Sequence, residues 1–206
     1  MARYTFFSFS YEDVKNFRVN VVRNSWLHHT DDQTFYDGSI WEDERIKTPS
    51  KIKKIIDDGL HGTSVTAVLI GTDTAFRRYV KYEIVKSFQR GNGIIGVHIN
   101  RIRGKEQQIT TRGLNPLERL GFEISNNGNK IRFYELINGN WYTYQDLPEI
   151  NNKKSNTIYF PDGWFSNDFG VFFRFSEYFE TFCWKFDKGH NNYCKWVEAA
   201  AEQAGR

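Results

Sequence analysis

Hydrophobic residues in the first half of the chain form two patterns that follow one another. Short continuous runs, rich in aromatic or β-branched residues, predict buried strands. They occupy residues 4–10, 64–71 and 94–99. Stripes at helical spacing predict helices between these strands. They occupy residues 11–26, 49–60 and 77–90. The alternation of strand and helix predicts a parallel sheet with helices on both faces.

Each helical stripe predicts an inward-facing row of side chains. In the first helix the row is Val14, Phe17, Val21 and Ser25. In the second it is Ile52, Ile55, Ile56 and Gly59 or Leu60. In the third it is Phe76, Val80, Ile84 and Phe88, which recur every four residues. Thr48 and Pro49 predict the start of the second helix, and Gly62 predicts its end.

The pattern changes after residue 101. Residues 101–116 have no periodicity and predict a long loop. Residues 122–144 alternate around NNGNK and NGN, which predicts antiparallel hairpins. Residues 150–193 are aromatic and loop-rich, and KWVEAAAEQ predicts a short helix after them.

A length of 206 residues favours one domain with elaborations over two domains. We predict an α/β core at residues 1–110, with a C-terminal elaboration packed on it at residues 111–206. Within the core, TFYDGSI at residues 34–40 predicts a further short strand.

Charge and cysteine content narrow the class of partner. A net charge of +3 and a pI near 8.7 fit an anionic small molecule and do not require nucleic acid. Two cysteines favour a reduced, cytoplasmic chain. No signal peptide is evident, and no run approaches the ~18 apolar residues that would cross a membrane. We therefore expect a soluble cytoplasmic protein without a membrane partner.

One acidic residue, Glu83, falls beside the apolar stripe of the third helix. By spacing alone, it is a boundary glutamate that pairs with Lys86 or Arg78, because such helical charge pairs are common. The alternative is a carboxylate placed for chemistry.

The motifs around Glu83 carry a family resemblance. Tyr79–Ile84 matches the aromatic-Val-x-x-Glu-Ile pattern of TIR enzymes that consume NAD, with Tyr79 where tryptophan is more usual. Residues 6–26 and 64–100, with LNPLERLGFE and WVEAAAEQAGR, resemble the ThsB-like TIR family of the bacterial Thoeris antiphage system. The resemblance covers most of the chain and implies a flavodoxin-like fold with a C-terminal extension rich in loops and hairpins.

The resemblance also implies a reaction. Glu83 would be the catalytic carboxylate in cleavage of the nicotinamide–ribose bond of NAD, which is a substrate, so that no cofactor is expected. A carboxylate near the ribose stabilises the oxocarbenium-like state of such reactions. The resemblance favours a cyclic ADP-ribose isomer as product. This diffusible signal would activate a companion effector after a phage-derived trigger, and a homo-oligomer is compatible with the family.

Further substrate-binding candidates lie at the carboxyl ends of the first and central strands, where the resemblance places the ligand, and on the first helix, the loop at residues 35–44 and the third helix. They are Ser8, Ser10, Tyr11, Arg23, Asp37, Ser39, Thr74 and Tyr79. Hydroxyl groups there could hold ribose or phosphate, and Arg23 could bind a pyrophosphate. Structural roles stay open for several of them: Ser8 as a turn cap, Tyr11 as a packing residue, Asp37 and Ser39 in a plain turn, and Thr74 as the cap of the third helix.

Other polar residues have weaker functional interpretations. Arg18 is expected to be an ordinary surface arginine, and Asp13 is expected to serve the start of the first helix as a cap or through the dipole. Cys183, His190 and Cys194 lack a fourth ligand and regular spacing, so no metal site is expected. The competing hypothesis for the chain is a non-enzymatic TIR-like interaction module, which would not need Glu83.

Overall fold

The computed structural model describes residues 4–27, 35–37, 48–152 and 169–206. Its strands are β1 (Thr5–Phe9), β2 (Phe35–Asp37), β3 (Val65–Ile70), β4 (Gly93–His98), β5 (Leu120–Ile124), β6 (Lys130–Ile137), β7 (Asn140–Thr143), β8 (Glu149–Asn151), β9 (Phe172–Arg174) and β10 (Thr181–Cys183). Its α-helices are α1 (Tyr11–Lys15), α2 (Arg18–Leu27), α3 (Pro49–Gly59), α4 (Arg78–Arg90) and α5 (Gly189–Gln203).

A parallel sheet forms the centre of the molecule, with strand order β10-β4-β3-β1-β2. The predicted parallel sheet is confirmed, as are the short strand within residues 34–40 and the helix that begins at Pro49. From β1 the chain passes to β2 on one side and then returns to β3 on the other. The carboxyl ends of β1 and β3 therefore flank the crevice in which open α/β sheets bind ligands.

Helices cover both faces of this sheet, as predicted. Cores that belong to the α3–α4 face contain Phe6, Val68, Ile70 and Ile94, packed with Ile56, Leu60, Val80 and Ile84. The core on the α2–α5 face contains Phe7, Phe9, Leu69 and Val97, packed with Val19, Val22 and Val197. Alternate residues of each strand thus point to opposite helix layers, as the pleat requires.

The first predicted helix is broken into α1 and α2. Phe17 lies between them with a φ of 63°, a left-handed conformation that a helix cannot continue through. The break shifts the helical register, so the predicted inner row is confirmed at Val14, which packs against the core, and at the buried Ser25, but is wrong at its two middle positions. Phe17 and Val21 are exposed, whereas Val19 and Val22 are fully buried.

The third predicted helix begins two residues later than its stripe suggests. Val80, Ile84 and Phe88 are buried as expected, but Phe76 is 61% exposed. It ends a single 3-10 turn, Thr74–Phe76, and Arg77 after it is extended. The side chain therefore leaves the helical row and lies under the guanidinium of Arg119, 5.4 Å from the ring centroid.

A second, antiparallel sheet confirms the predicted hairpins, with order β7-β6-β5-β9 and with β8 paired to β6. Asn138 and Gly139 have φ values of 49° and 85°, which suit the tight turn between β6 and β7. Phe122, Phe133 and Phe175 of this part pack around Phe88 of α4, with ring centroids 5.1 to 5.5 Å from it. The second sheet thus rests on the helix that carries Glu83.

The last described segment returns to the parallel sheet. The closing helix is α5, fifteen residues long, and β10 is an edge strand beside β4 that the sequence pattern did not predict. Gly93 lies so close to α5 that a Cβ there would be 2.2 Å from the Ala200 carbonyl oxygen. The division of the chain at residue 110 stays a prediction.

Candidate active site

Glu83 lies on the inward side of α4 with only 1% of its surface exposed. Ser8 of β1, fully buried, donates a hydrogen bond from Oγ to Glu83 Oε2 at 2.5 Å. The interpretation of Glu83 as a boundary charge paired with Lys86 or Arg78 is therefore wrong. Lys86 pairs with Asp57 at 3.3 Å, and Arg78 pairs with Asp146 at 2.6 Å.

Burying a carboxylate destabilises the folded state unless hydrogen bonds replace those that the carboxylate made with water. Ser8 provides one such bond across 75 positions of sequence, so strand β1 and helix α4 must both be in place before the pair can form. Phe7 and Phe9 point to the α2–α5 face, and the pleat turns Ser8 to the α4 face between them. The pair consequently lies next to the crevice between β1 and β3.

Ser10 follows β1 at the edge of this crevice. Its side chain is 1% exposed, and its Oγ has no hydrogen-bond partner among the described residues. Although Ser10 is the N-cap of α1, its side chain makes no capping bond. The hydroxyl is therefore available to a ligand. Tyr11 beside it is half-buried, and Lys15 Nζ lies 4.9 Å from the centroid of its ring.

Asp13 lies inside the crevice, which the sequence pattern did not predict. It lies in the first turn of α1, where a negative charge suits the helix dipole as expected, but it is 6% exposed and is not the cap, which is Ser10. A Cβ on Gly71, directly after β3, would be 1.9 Å from Asp13 Oδ2. Burial is the main cause that raises the pKa of Asp13 to about 6, and Arg18, 3.9 Å away, opposes it.

Arg18 is buried, so the expectation of an ordinary surface arginine is wrong. Its Nε donates to the Ile102 carbonyl and its Nη2 to the Gln108 carbonyl, both at 3.0 Å. Charged hydrogen bonds of this kind are among the stronger ones in proteins. Arg18 therefore ties α2 to the loop that follows β4.

Arg23 lies on the other face of the sheet. Its guanidinium is 5.6 Å from the centroid of the Phe9 ring, which belongs to the α2–α5 core. Nη1 donates to Asn20 Oδ1 at 3.0 Å, and burial lowers the pKa of the guanidinium. The structure thus does not bring Arg23 together with Glu83, and its proposed contact with pyrophosphate stays a prediction.

Thr74 has a structural role at the end of β3. Its Oγ1 accepts a hydrogen bond from the Gly71 amide at 2.9 Å and donates to the Leu69 carbonyl at 3.4 Å. It does not cap α4, because the N-cap of that helix is Arg77. The hydroxyl shapes the turn that places Gly71 against Asp13.

The remaining candidates are less central or are not described. Tyr79 is half-buried and packs against the core of Phe6, Ile56, Leu60 and Tyr82. Asp37 ends β2 opposite Phe7 of β1. Ser39 lies outside the described residues.

Sequence reasoning missed His98 at the carboxyl end of β4. Its side chain is 3% exposed, and its Nε2 accepts a hydrogen bond from Arg112 Nε at 3.3 Å. Burial first, and then the Arg112 charge, lower the pKa of His98 to about 4. A lone histidine at a strand end has no sequence signal of its own, and its partner lies in the unpatterned loop.

The described ranges contain neither a membrane-spanning helix nor a metal centre. No helix within them is long and apolar enough to cross a membrane. Within residues 4–27, 48–152 and 169–206, no group of three His, Cys, Asp or Glu side chains is arranged to hold a metal ion. His190 instead contacts Ser25, with Nδ1 2.7 Å from the serine Oγ.

The parallel sheet and the crevice with its buried carboxylate define a TIR-like α/β protein. Residues 6–103 match the family model described as "Thoeris protein ThsB, TIR-like domain". A Bacillus cereus (strain MSX-D12) protein named "Putative cyclic ADP-D-ribose synthase ThsB1" is 39% identical over 201 residues, which are 96% of this chain and 100% of that protein. The chain therefore belongs to the Thoeris ThsB family of TIR-like proteins.

Proposed function

We propose that this protein is an NAD-consuming enzyme that cleaves the nicotinamide–ribose bond and forms a cyclic ADP-ribose isomer. The observation that carries the proposal is the buried Glu83 carboxylate, hydrogen-bonded to Ser8 beside the crevice between β1 and β3. The name of the Bacillus cereus relative supports the same chemistry. The product would act as a diffusible signal for a companion effector once infection supplies a trigger.

The proposed reaction breaks the bond between ribose C1′ and the nicotinamide nitrogen. The bonding electrons leave with nicotinamide, which departs as a neutral molecule, so no strong general acid is required. Positive charge then develops on the ribose, and Glu83 stabilises it from a site with little water, where electrostatic effects are large. An internal nucleophile of the same molecule captures C1′ to form the cyclic product, and a hydroxyl that acts in this way releases its proton to solvent.

Neighbouring groups have supporting roles in this proposal. The Ser8 hydroxyl fixes the orientation of the Glu83 carboxylate. The Ser10 hydroxyl, buried and without a partner among the described residues, is suited to a ribose hydroxyl or a phosphate oxygen. Capture of C1′ by water instead would give ADP-ribose and release a proton.

An assay of NAD consumption with mass analysis of the products tests this function. Lysates of infected and uninfected cells would carry the natural chain, Glu83→Gln or Glu202→Gln, the last of which changes an exposed glutamate of α5 as a control. We expect nicotinamide and a species of cyclic ADP-ribose mass only where Glu83 is intact. Unchanged product formation by a folded Glu83→Gln protein would refute the catalytic role.

The alternative is a non-enzymatic interaction module. Such a module has no use for a buried carboxylate beside the ligand crevice, so the geometry of Glu83 favours the enzyme. Absence of any Glu83-dependent product under several infection triggers would favour the module instead. Assembly of several copies of the chain is compatible with either function.

A further inference from the structure

The loop after β4 closes over the carboxyl ends of β3 and β4. Thr72, just after β3, donates from Oγ1 to the Thr111 carbonyl at 3.3 Å. Two residues further on, a Cβ at Gly113 would be 1.9 Å from the Gly71 carbonyl oxygen. The residue between these two contacts is Arg112, which is exposed. Its backbone is thus held at the crevice from both sides.

His98 orients the side chain of Arg112. The imidazole accepts from Arg112 Nε, and it stays neutral at pH 7 because its pKa is lowered to about 4. With Nε bonded to the ring, the two terminal nitrogens of the guanidinium remain for a ligand. They form the fork that binds planar or tetrahedral oxyanions through two hydrogen bonds.

His98 also lies on the same face of the sheet as Glu83. In β4, Ile95 and Val97 belong to the α2–α5 core, whereas Ile94 belongs to the core around α4. Alternation along the strand therefore puts His98 on the α4 face with Ser8 of β1. The two strands are separated by β3 alone, which corresponds to about 10 Å.

Arg112 differs from Arg18 and Arg77, two other arginines at this edge of the sheet, in that it has no carboxylate partner among the described residues. Arg18 lies 3.9 Å from the Asp13 carboxylate, and Arg77 pairs with Asp73 at 3.1 Å. Arg112 makes no ion pair with any carboxylate in the part of the chain that the structure describes. Its positive charge therefore stays available to a ligand in the crevice.

We propose that Arg112, positioned by His98, binds a phosphate group of the nucleotide ligand at the carboxyl end of the sheet. The proposal rests on the proposed function insofar as NAD is that nucleotide. The ends of β1 and β4 are separated by about 10 Å, a gap that a ribose and the pyrophosphate joined to it can span together. Glu83 would then face the ribose while Arg112 holds the pyrophosphate.

Calorimetric titration of the purified full chain with ADP and with adenosine tests the phosphate contact without requiring turnover. We expect the natural chain to bind ADP at least about 10-fold more tightly than adenosine, because a charged hydrogen-bonded contact is worth about that factor or more. Arg112→Gln should abolish this preference, and the control Arg103→Gln, an exposed cation of the same loop, should keep it. Equal binding of ADP and adenosine by the natural chain, or an unchanged preference in Arg112→Gln, would overturn the proposal.

His98 is a positioning residue, so its test includes the KM and kcat for NAD as well as the affinity for ADP. His98→Phe removes the acceptor for Arg112 Nε, whereas His98→Gln keeps an acceptor oxygen. We expect His98→Phe and Arg112→Gln to raise the KM for NAD by about 10-fold or more with little change in kcat, as for lost uniform binding. His98→Gln should restore much of the affinity for ADP. A His98→Phe protein with natural ADP preference and natural KM would refute the positioning role.

The two proposals fail separately. Unchanged turnover in Glu83→Gln would refute the proposed role of Glu83 in the reaction. The titration would still test, independently, whether Arg112 gives the protein its preference for ADP. If the natural chain bound ADP and adenosine equally well, the role of Arg112 would be overturned, and the result of the Glu83 assay would be unaffected.

Discussion

Replacement of Asp13 by asparagine should stabilise the protein at neutral pH. The carboxyl group has a pKa of about 6 in the folded chain against 3.8 as its ordinary value, chiefly because it is buried. The folded state therefore binds more protons than the unfolded state between these pH values. Stability consequently falls as the pH rises from about 4 to about 6, and the loss persists above that range.

The structure gives an approximate size for this effect. The difference between the two pKa values corresponds to about 3 kcal/mol, at about 1.4 kcal/mol for each pH unit. Relaxation around the charged form reduces such values, so we expect Asp13→Asn to gain about 2 kcal/mol at pH 7.5. For a domain of this size the gain corresponds to a rise in Tm of about 4–8 °C.

Urea unfolding of both proteins between pH 4 and pH 8 measures the effect. The difference in unfolding free energy should be near zero at pH 4 and should reach its maximum above about pH 6.5. The pKa of His98 is lowered to about 4, so this residue makes the folded protein less stable as the pH falls from about 6.5. The contribution is the same in both proteins and cancels in the difference. Asp58→Asn, an exposed carboxylate of α3, serves as the control and should change little. An Asp13→Asn protein that is less stable at pH 7.5, or a difference that does not depend on pH, would refute the reasoning.

Two further substitutions examine neighbouring contacts. Ser8→Ala should lower NAD turnover by about 10-fold or more, because Glu83 loses the hydrogen bond that orients it. Thr66→Val removes another buried hydroxyl contact, to Ser87, so a similar loss of turnover there would contradict a specific role for Ser8. Arg18→Met should speed hydrogen exchange of the Gly104 and Gln107 amides, because the loop loses both bonds to its carbonyl groups. Natural exchange rates at these amides would show that the loop is held by other contacts.

The sequence was most informative where a pattern extends over many residues. The runs of β1, β3 and β4 and the stripes of α3 and α4 predict the central layers well, because burial on both faces or on one face leaves a repeated signal. β10 was missed because three residues beside an existing strand carry no periodicity. The break at Phe17 was missed because a single left-handed residue interrupts an otherwise helical stripe.

The candidate site was predictable only in part. The resemblance to TIR enzymes pointed to Glu83, but the burial of its side chain and its contact with Ser8 depend on how α4 lies against β1. Asp13 is buried against Gly71 after β3, a contact between distant segments that leaves no local pattern. Arg112 and His98 came together through a loop without periodicity, so no local pattern could connect them.

The return of β10 and α5 to the parallel sheet has a consequence for how the protein is made. Residues 5–98 contain four of the five strands of this sheet, yet α5, which covers β4, begins only at Gly189. The growing chain therefore presents an uncovered apolar surface while about ninety further residues are synthesised, a period that lasts seconds at ribosomal speeds. Arg206 then ties the segment after α5 to the turn between α4 and β4, through a hydrogen bond from its Nε to the Gly91 carbonyl at 3.0 Å. Folding of the sheet is thus expected to finish late in synthesis.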